Sequence, residues 1–322
     1  MNKLLIATTA LVSTFGLSSA YAMGGAEITI SGSSKWTYEQ LDNDNSSAGQ
    51  NNSQFKINNN FSVASEAHSD SGLTYGTSVT VDTGGSPDPF ADDGMKLYVK
   101  GAFGELRTGS GDAGDSINMD VTGSVEGEST NLAGKYRGDS VTGGSDSAIT
   151  YFTPSINNFS AAVSAVDAGR ESKADATIVG LKFSLPVGGS DLAFSYTQKN
   201  TSAHGDATKL RSATATSYGA SYGIGNLGLK VAANTNEVDD GNDEKDQDSS
   251  NLGFGITYKV SDAFNLGLYS VDGEDGDSEG SEVAASVTYT VAPGLSTNLA
   301  YTSWDEDDAS GTGVAAYIKV AF

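Results

Sequence analysis

Segments that alternate apolar and polar residues with a period of two recur along almost the whole chain, and few folds can accommodate that pattern. Leu73-Thr74-Tyr75-Gly76-Thr77-Ser78-Val79-Thr80-Val81 and Leu252-Gly253-Phe254-Gly255-Ile256-Thr257-Tyr258 each place large apolar side chains on one face and small or polar ones on the other, as an extended strand does. Roughly sixteen such stretches run from 27-41 to 312-322, with ends good to a few residues. The connections between them alternate in length. Short ones fall at 68-71, 102-103, 154-157, 188-189, 223-226, 261-262 and 292-293; longer, acidic or Gly/Ser-rich ones fall at 42-52, 84-93, 110-145, 201-210, 238-247, 272-280 and 305-311. Tight turns on one rim and long loops on the other predict an all-β fold, a transmembrane antiparallel β-barrel of about 16 strands.

A soluble β-sandwich, a solenoid or an extracellular β-rich adhesin or surface protein would also contain many strands with polar loops. Nothing in a sandwich requires connections that alternate short and long, however, and its apolar faces hide between two sheets. Aromatic residues beside the short turns, Phe103, Phe159, Tyr222, Phe264 and Phe322, fit a girdle at a membrane interface.

The N-terminus carries Lys3, an apolar stretch from Leu4 to Leu17 and then Ala20-Tyr21-Ala22, the pattern of a signal peptide with an A-x-A cleavage site. Residues 1-22 are thus expected to be a leader and 23-322 one barrel domain. The apolar runs after the leader fall short of the roughly 18 residues of a spanning helix, so membrane entry would need a closed barrel. There is no cysteine, and the only imidazoles are His68 and His204, so thiol chemistry is excluded and disulfides do not staple the fold. A formal charge of −23 argues against neutralising nucleic-acid phosphates.

If the apolar member of each pair faces lipid, its neighbours face the lumen. Ile28, Ile30, Trp36 and Tyr38 then turn Lys35 inward, and Phe55, Ile57, Phe61 and Val63 turn Lys56 inward. Met95, Leu97 and Val99 do the same for Lys96 and Lys100, and Leu106 for Arg107. Lys182, Lys230, Lys259 and Lys319 also point inward, which keeps charge out of hydrocarbon. The connection at 110-145 is too long for a simple hairpin loop and contains Asp112, Asp115, Asp120, Glu126 and Glu128. Folded into the lumen, it would set carboxylates against the basic wall of the early strands, forming a transverse field at a constriction.

Two motifs lose their usual meaning here. Gly219-Ala220-Ser221-Tyr222-Gly223 matches G-x-S-x-G, but both histidines precede the serine and the flanks read as strand. Gly223-Ile224-Gly225-Asn226-Leu227-Gly228 matches G-x-G-x-x-G yet leads into a strand, not a helix. Asp239, Asp240, Asp243, Asp272, Asp275 and Asp277 could offer oxygen ligands to Ca²⁺. No complete EF-hand spacing is present, and solvated acidic loops are the simpler reading; no other cofactor is expected.

Gly101-Ala102-Phe103-Gly104-Glu105-Leu106-Arg107-Thr108-Gly109 resembles the G-x-F-G-x-L-x-x-G signature of the general bacterial porins, especially the alphaproteobacterial kind, where it leads into an inward-folded third loop. Ile149 to Pro154 with Phe159 is similar to that family's strand after the loop, and the terminal Phe322 resembles its assembly signal. The resemblance implies a homotrimer in the outer membrane of a Gram-negative bacterium, one water-filled pore per subunit, and passive passage of small hydrophilic solutes and ions without catalysis. A solute-selective porin is the neighbouring alternative. The family's wall is rich in Arg where this one is mostly Lys, which leaves the sign of ion preference open.

Overall fold

A computed structural model describes residues 25-43, 52-82, 91-126, 141-142, 148-166, 175-202, 212-239, 248-307 and 309-322. The expected leader at 1-22 lies outside these residues. Sixteen strands form one closed antiparallel barrel in which each strand pairs with its sequence neighbours and the last pairs with the first. They are β1 (Glu27–Asn43), β2 (Asn52–His68), β3 (Thr74–Asp82), β4 (Ala91–Gly101), β5 (Gly104–Gly109), β6 (Ala148–Phe152), β7 (Phe159–Val166) and β8 (Asp175–Val187). The second half comprises β9 (Ser190–Ser202), β10 (Ser212–Ile224), β11 (Leu227–Asp239), β12 (Ser249–Lys259), β13 (Phe264–Asp275), β14 (Ser278–Ala292), β15 (Leu295–Glu306) and β16 (Ala309–Ala321). A short helix, α1 (Ala113–Ile117), and a 3₁₀ turn at Thr122–Ser124 belong to the connection between β5 and β6.

Closure satisfies the backbone where an open sheet could not lie in lipid. Lys35 pairs with Lys319 and Trp36 with Ile318 across the β1–β16 seam. Gly32 and Phe322 exchange two backbone hydrogen bonds of 3.0 Å at its end. The outward positions of the strands carry Trp36, Phe55, Ile57, Leu97, Leu106, Phe254, Leu299 and Ile318, each more than 36% exposed. Such a girdle would be unstable against water and is stable against acyl chains. Phe103, Phe159 and Phe322 are exposed at the short-turn rim, as expected. Many inward positions carry small or polar residues, among them Ser164, Thr197, Asn234 and Ala284, so much of the barrel interior is polar.

The alternation of connection lengths holds over most of the barrel but ends before the last strands. The long connections expected at 272-280 and 305-311 are tight hairpins. β13 continues to Asp275 and β14 begins at Ser278, while β15 runs to Glu306 and β16 starts at Ala309. Gly276 at φ 60° and Asp307 at φ 44° supply the left-handed turns. The misreading has a physical cause. Above the apolar belt both faces of these strands are wet, so Asp272, Glu274, Glu279 and Asp305 occupy paired strand positions without the alternation that marks a strand in sequence.

Candidate pore constriction

The constriction begins where the chain leaves the wall after β5. Gly109 has φ +96°, and a Cβ there would overlap the carbonyl oxygen of Met95. The next residue bonds back to that carbonyl, Ser110 N donating to Met95 O at 2.8 Å. The chain then turns into the lumen instead of completing a hairpin, which explains why β5 and β6 are the shortest strands, at 6 and 5 residues.

Inside the barrel the connection runs around the inner wall. Helix α1 starts at Asp112, whose carboxylate caps it by accepting from the Gly114 and Asp115 amides. Its Ala113 and Ile117 pack against Ala162 and Ile178 of β7 and β8. Ala113 N donates to Ser164 Oγ at 2.8 Å, and Ser217 Oγ of β10 donates to Asn118 Oδ1 at 2.6 Å. Further on, Val121 and Val125 join a buried cluster with Ala232, Val271, Ala284, Ala300 and Ala315 from β11 to β16. Small wall residues make this contact possible. A Cβ at Gly253 would collide with Val121, and one at Gly255 or Gly267 with Ser124. Glu126 N then donates to Ser286 Oγ at 3.2 Å, and Tyr317 Oη donates to the Glu126 carboxylate.

From β6 to β16 the described part of the connection thus lies against the wall. Among the described residues the lumen is left free beside β1 to β5. On that side the expected cations all face inward. Lys96, Lys100 and Arg107 line a recess of about 360 Å³ with Ser78, Thr80 and Tyr98. The expected loop folds inward, and Arg107 of this wall touches its start, donating to Gly111 O at 2.6 Å.

The wall is less basic than the cations alone suggest, because carboxylates on the same inward face accompany them. Lys56 pairs with Glu39 at 2.6 Å, Lys100 with Glu66 at 3.2 Å and Arg107 with Glu105 at 2.7 Å. Arg107 also donates to Gly111 O at 2.6 Å and lies 4.5 Å over the Phe152 ring, so it braces the start of the loop as well as facing the pore. Lys96 has no ion pair among the described residues, and Lys35 sits 5.5 Å over the Tyr317 ring. Glu39, Glu66 and Glu105 were not singled out from sequence. The same period-two rule that found the lysines would have found them.

The loop carboxylates divide into distinct roles. Asp112 is 1% exposed and serves as a cap. Asp120 accepts from Thr122 N at 2.9 Å, and its carbonyl receives Lys230 Nζ at 3.4 Å. Asp115 and Glu126 are exposed residues of the loop facing lumen water. Although exposed overall, the Asp115 carboxyl is partly desolvated against the loop, and this desolvation together with the charge of Asp112 holds it above the ordinary aspartate range. Glu128 lies outside the described residues.

Of the calcium candidates, Asp240 and Asp243 and the side chain of Asp239 lie outside the described residues. Asp272 faces outward and Asp275 inward, so these two are not brought together. Among the described residues no group of three or more His, Asp and Glu could hold a metal ion. Ser221 sits within β10 opposite Lys230, in regular ladder pairing and not on a strand-to-helix turn.

A closed sixteen-stranded barrel with an apolar belt, a polar lumen and an inward loop defines an outer-membrane pore protein. A family model described as Gram-negative porin matches residues 7–309, and the chain belongs to that family. No curated sequence matches it. Its fold is similar to the trimer form of OmpT, an outer membrane protein of Vibrio cholerae, with TM-score 0.72 at 17% identity over 92% of this chain and 99% of that one. It is similar to an anion-selective porin from Comamonas acidovorans, with TM-score 0.71 at 14% identity over 92% and 100%. It is also similar to a mutant of the Rh. blastica porin, with TM-score 0.62 at 13% identity over 92% and 100%.

Proposed function

We propose that this porin is a general diffusion channel whose constriction is the gap between the inward loop and the wall of β1 to β5. The observation that carries this reading is the placement of Asp115 and Glu126 on the loop side and of Lys35, Lys56, Lys96, Lys100 and Arg107 on the wall side of one lumen. Opposed charges across a narrow wet gap orient dipolar solutes and slow apolar ones. Three of the five wall cations carry a carboxylate partner, so ion preference is weak. The protein performs no catalysis and couples to no energy source.

The chain is exported with cleavage after Ala22, places its tight turns in the periplasm and assembles as a homotrimer. A polar pair supports a covered outer face: Ser34 and Asn59 point outward opposite each other on β1 and β2, between the rows of Trp36–Ile57 and Gly32–Phe61. In a lone barrel that pair would lie among acyl chains, where polar groups are costly.

Purified protein in a planar bilayer under a tenfold KCl gradient tests the reading. Discrete channels with a reversal potential far below the Nernst limit are expected. Absence of channels refutes the pore.

A further inference from the structure

We infer that the β1–β16 seam, where Lys35 of the proposed constriction wall meets Lys319, carries a recognition row for multivalent oxyanions such as inorganic phosphate or sulfate. This inference rests on the pore reading and adds a ligand class to it. Lys35 and Lys319 are direct cross-strand partners, and both point into the lumen because their neighbours Trp36, Ile318 and Val320 are exposed outward. Directly opposed residues hold their Cβ atoms roughly 5 Å apart, and like charges in that position repel. A barrel that needed only a wet lumen could place a small or uncharged residue at either site, as β1 does with Ser31 and Ser33 and β16 with Gly313 and Ala315.

The rest of the row consists of neutral donors. Lys35 is also opposite Asn58 of β2, and Lys319 is opposite Ser296 of β15. Both of these partners face inward by the same alternation. The sequence across four strands is therefore hydroxyl, ammonium, ammonium, amide, and no carboxylate interrupts it. Among the described residues the carboxylates nearest this row have partners: Glu39, two inward positions along β1, is held by Lys56 at 2.6 Å, and Glu126 receives the hydroxyl of Tyr317, beside Lys319 on β16. Among the described residues neither Lys35 nor Lys319 forms an ion pair, in contrast to Lys56, Lys100, Arg107 and Lys259. Two adjacent ammonium groups flanked by hydrogen-bond donors match an oxyanion with two or more acceptor oxygens and more than one negative charge. Chloride offers neither the geometry nor the second charge.

The test uses the intact porin in a planar bilayer, with inorganic phosphate added to each side in turn at constant KCl. The expected result is a saturable reduction of chloride current by phosphate. Lys35→Gln with Lys319→Gln should raise the half-blocking concentration by roughly tenfold or more. Lys319→Arg should retain the block, and Lys259→Gln, whose lysine already pairs with Asp262 at 2.8 Å, should leave it unchanged. Channels that conduct but show the same phosphate block in the double variant overturn the row while leaving the pore intact. So does a block abolished by Lys96→Gln and insensitive to Lys319→Gln, since that assigns the anion to the recess on β4. Retention of the barrel in each variant is read from heat-modifiable electrophoretic mobility.

Discussion

Filling the glycine seats of the inward loop should widen the pore without opening the barrel. Gly255→Val together with Gly267→Val places side chains where Ser124 now lies. Each overpacked position in a close-packed contact typically costs about 1–3 kcal/mol, so the pair opposes seating by roughly 2–6 kcal/mol. What holds this part of the loop is of similar size. Val121 and Val125 are 3% exposed, and burying such side chains contributes about 1.5–3 kcal/mol each. The Glu126–Ser286 hydrogen bond adds about 0.5–1.5 kcal/mol. The two sums are close enough that the segment should leave the wall for a large fraction of the time. The strands themselves should tolerate the change, because Val is a better strand residue than Gly and both positions remain in unbroken ladders. Single-channel recording should show a higher or fluctuating unit conductance and a smaller reversal potential, with heat-modifiable mobility unchanged. An unchanged unit conductance in a correctly folded variant would refute the claim that this segment narrows the lumen.

The wall charges should act with opposite signs. Glu39→Gln should move the reversal potential toward anions and Lys56→Gln toward cations, each by the effect of one charge, about 1 kcal/mol for an ion passing at 4 Å in water; shifts of the same sign would exclude direct electrostatics. Asp115 should release its charge at higher pH than an ordinary aspartate as pH falls, because its ionised form is disfavoured by burial and by Asp112. Loop seating should then strengthen as pH drops through that raised value and weaken above it. A titration of reversal potential should show an acid step toward anions that Asp115→Asn removes. Gly109→Ala should lower the yield of folded barrel, since φ +96° and the contact with Met95 both oppose a Cβ; strain of this kind costs about 1–3 kcal/mol, measurable by urea unfolding in detergent.

How much of this was legible in the sequence follows from what the membrane imposes. Lipid on one side and water on the other force a period of two, so the strands and the inward direction of Lys35, Lys56, Lys96, Lys100 and Arg107 could be read directly. Where that contrast vanishes the signal vanishes. The carboxylates beyond Val271 and Ser303 lie above the belt, and the hairpins at Gly276 and Asp307 looked like long loops for that reason.

The route of the inward loop was hidden for a different reason. Its length and charge announced a function, but its seat is recorded on other strands as small residues: Gly180 beneath Ile117, Gly253 beneath Val121, and Gly267 beneath Ser124. Each reads in isolation as an unremarkable polar-face position. Only pairing brings them into line, since Gly253 stands opposite Val271 and Gly255 opposite Tyr269. The charge balance of the wall depends on pairing in the same way. Lys56 meets Glu39 because β1 and β2 are in one register, and Lys35 meets Lys319 because the barrel closes. Residues that are 284 positions apart in the chain become neighbours only at the seam. Strand patterning alone therefore gives the sign of each wall residue, while the pairing of neighbouring strands decides which charges are cancelled and closure decides which two are left side by side.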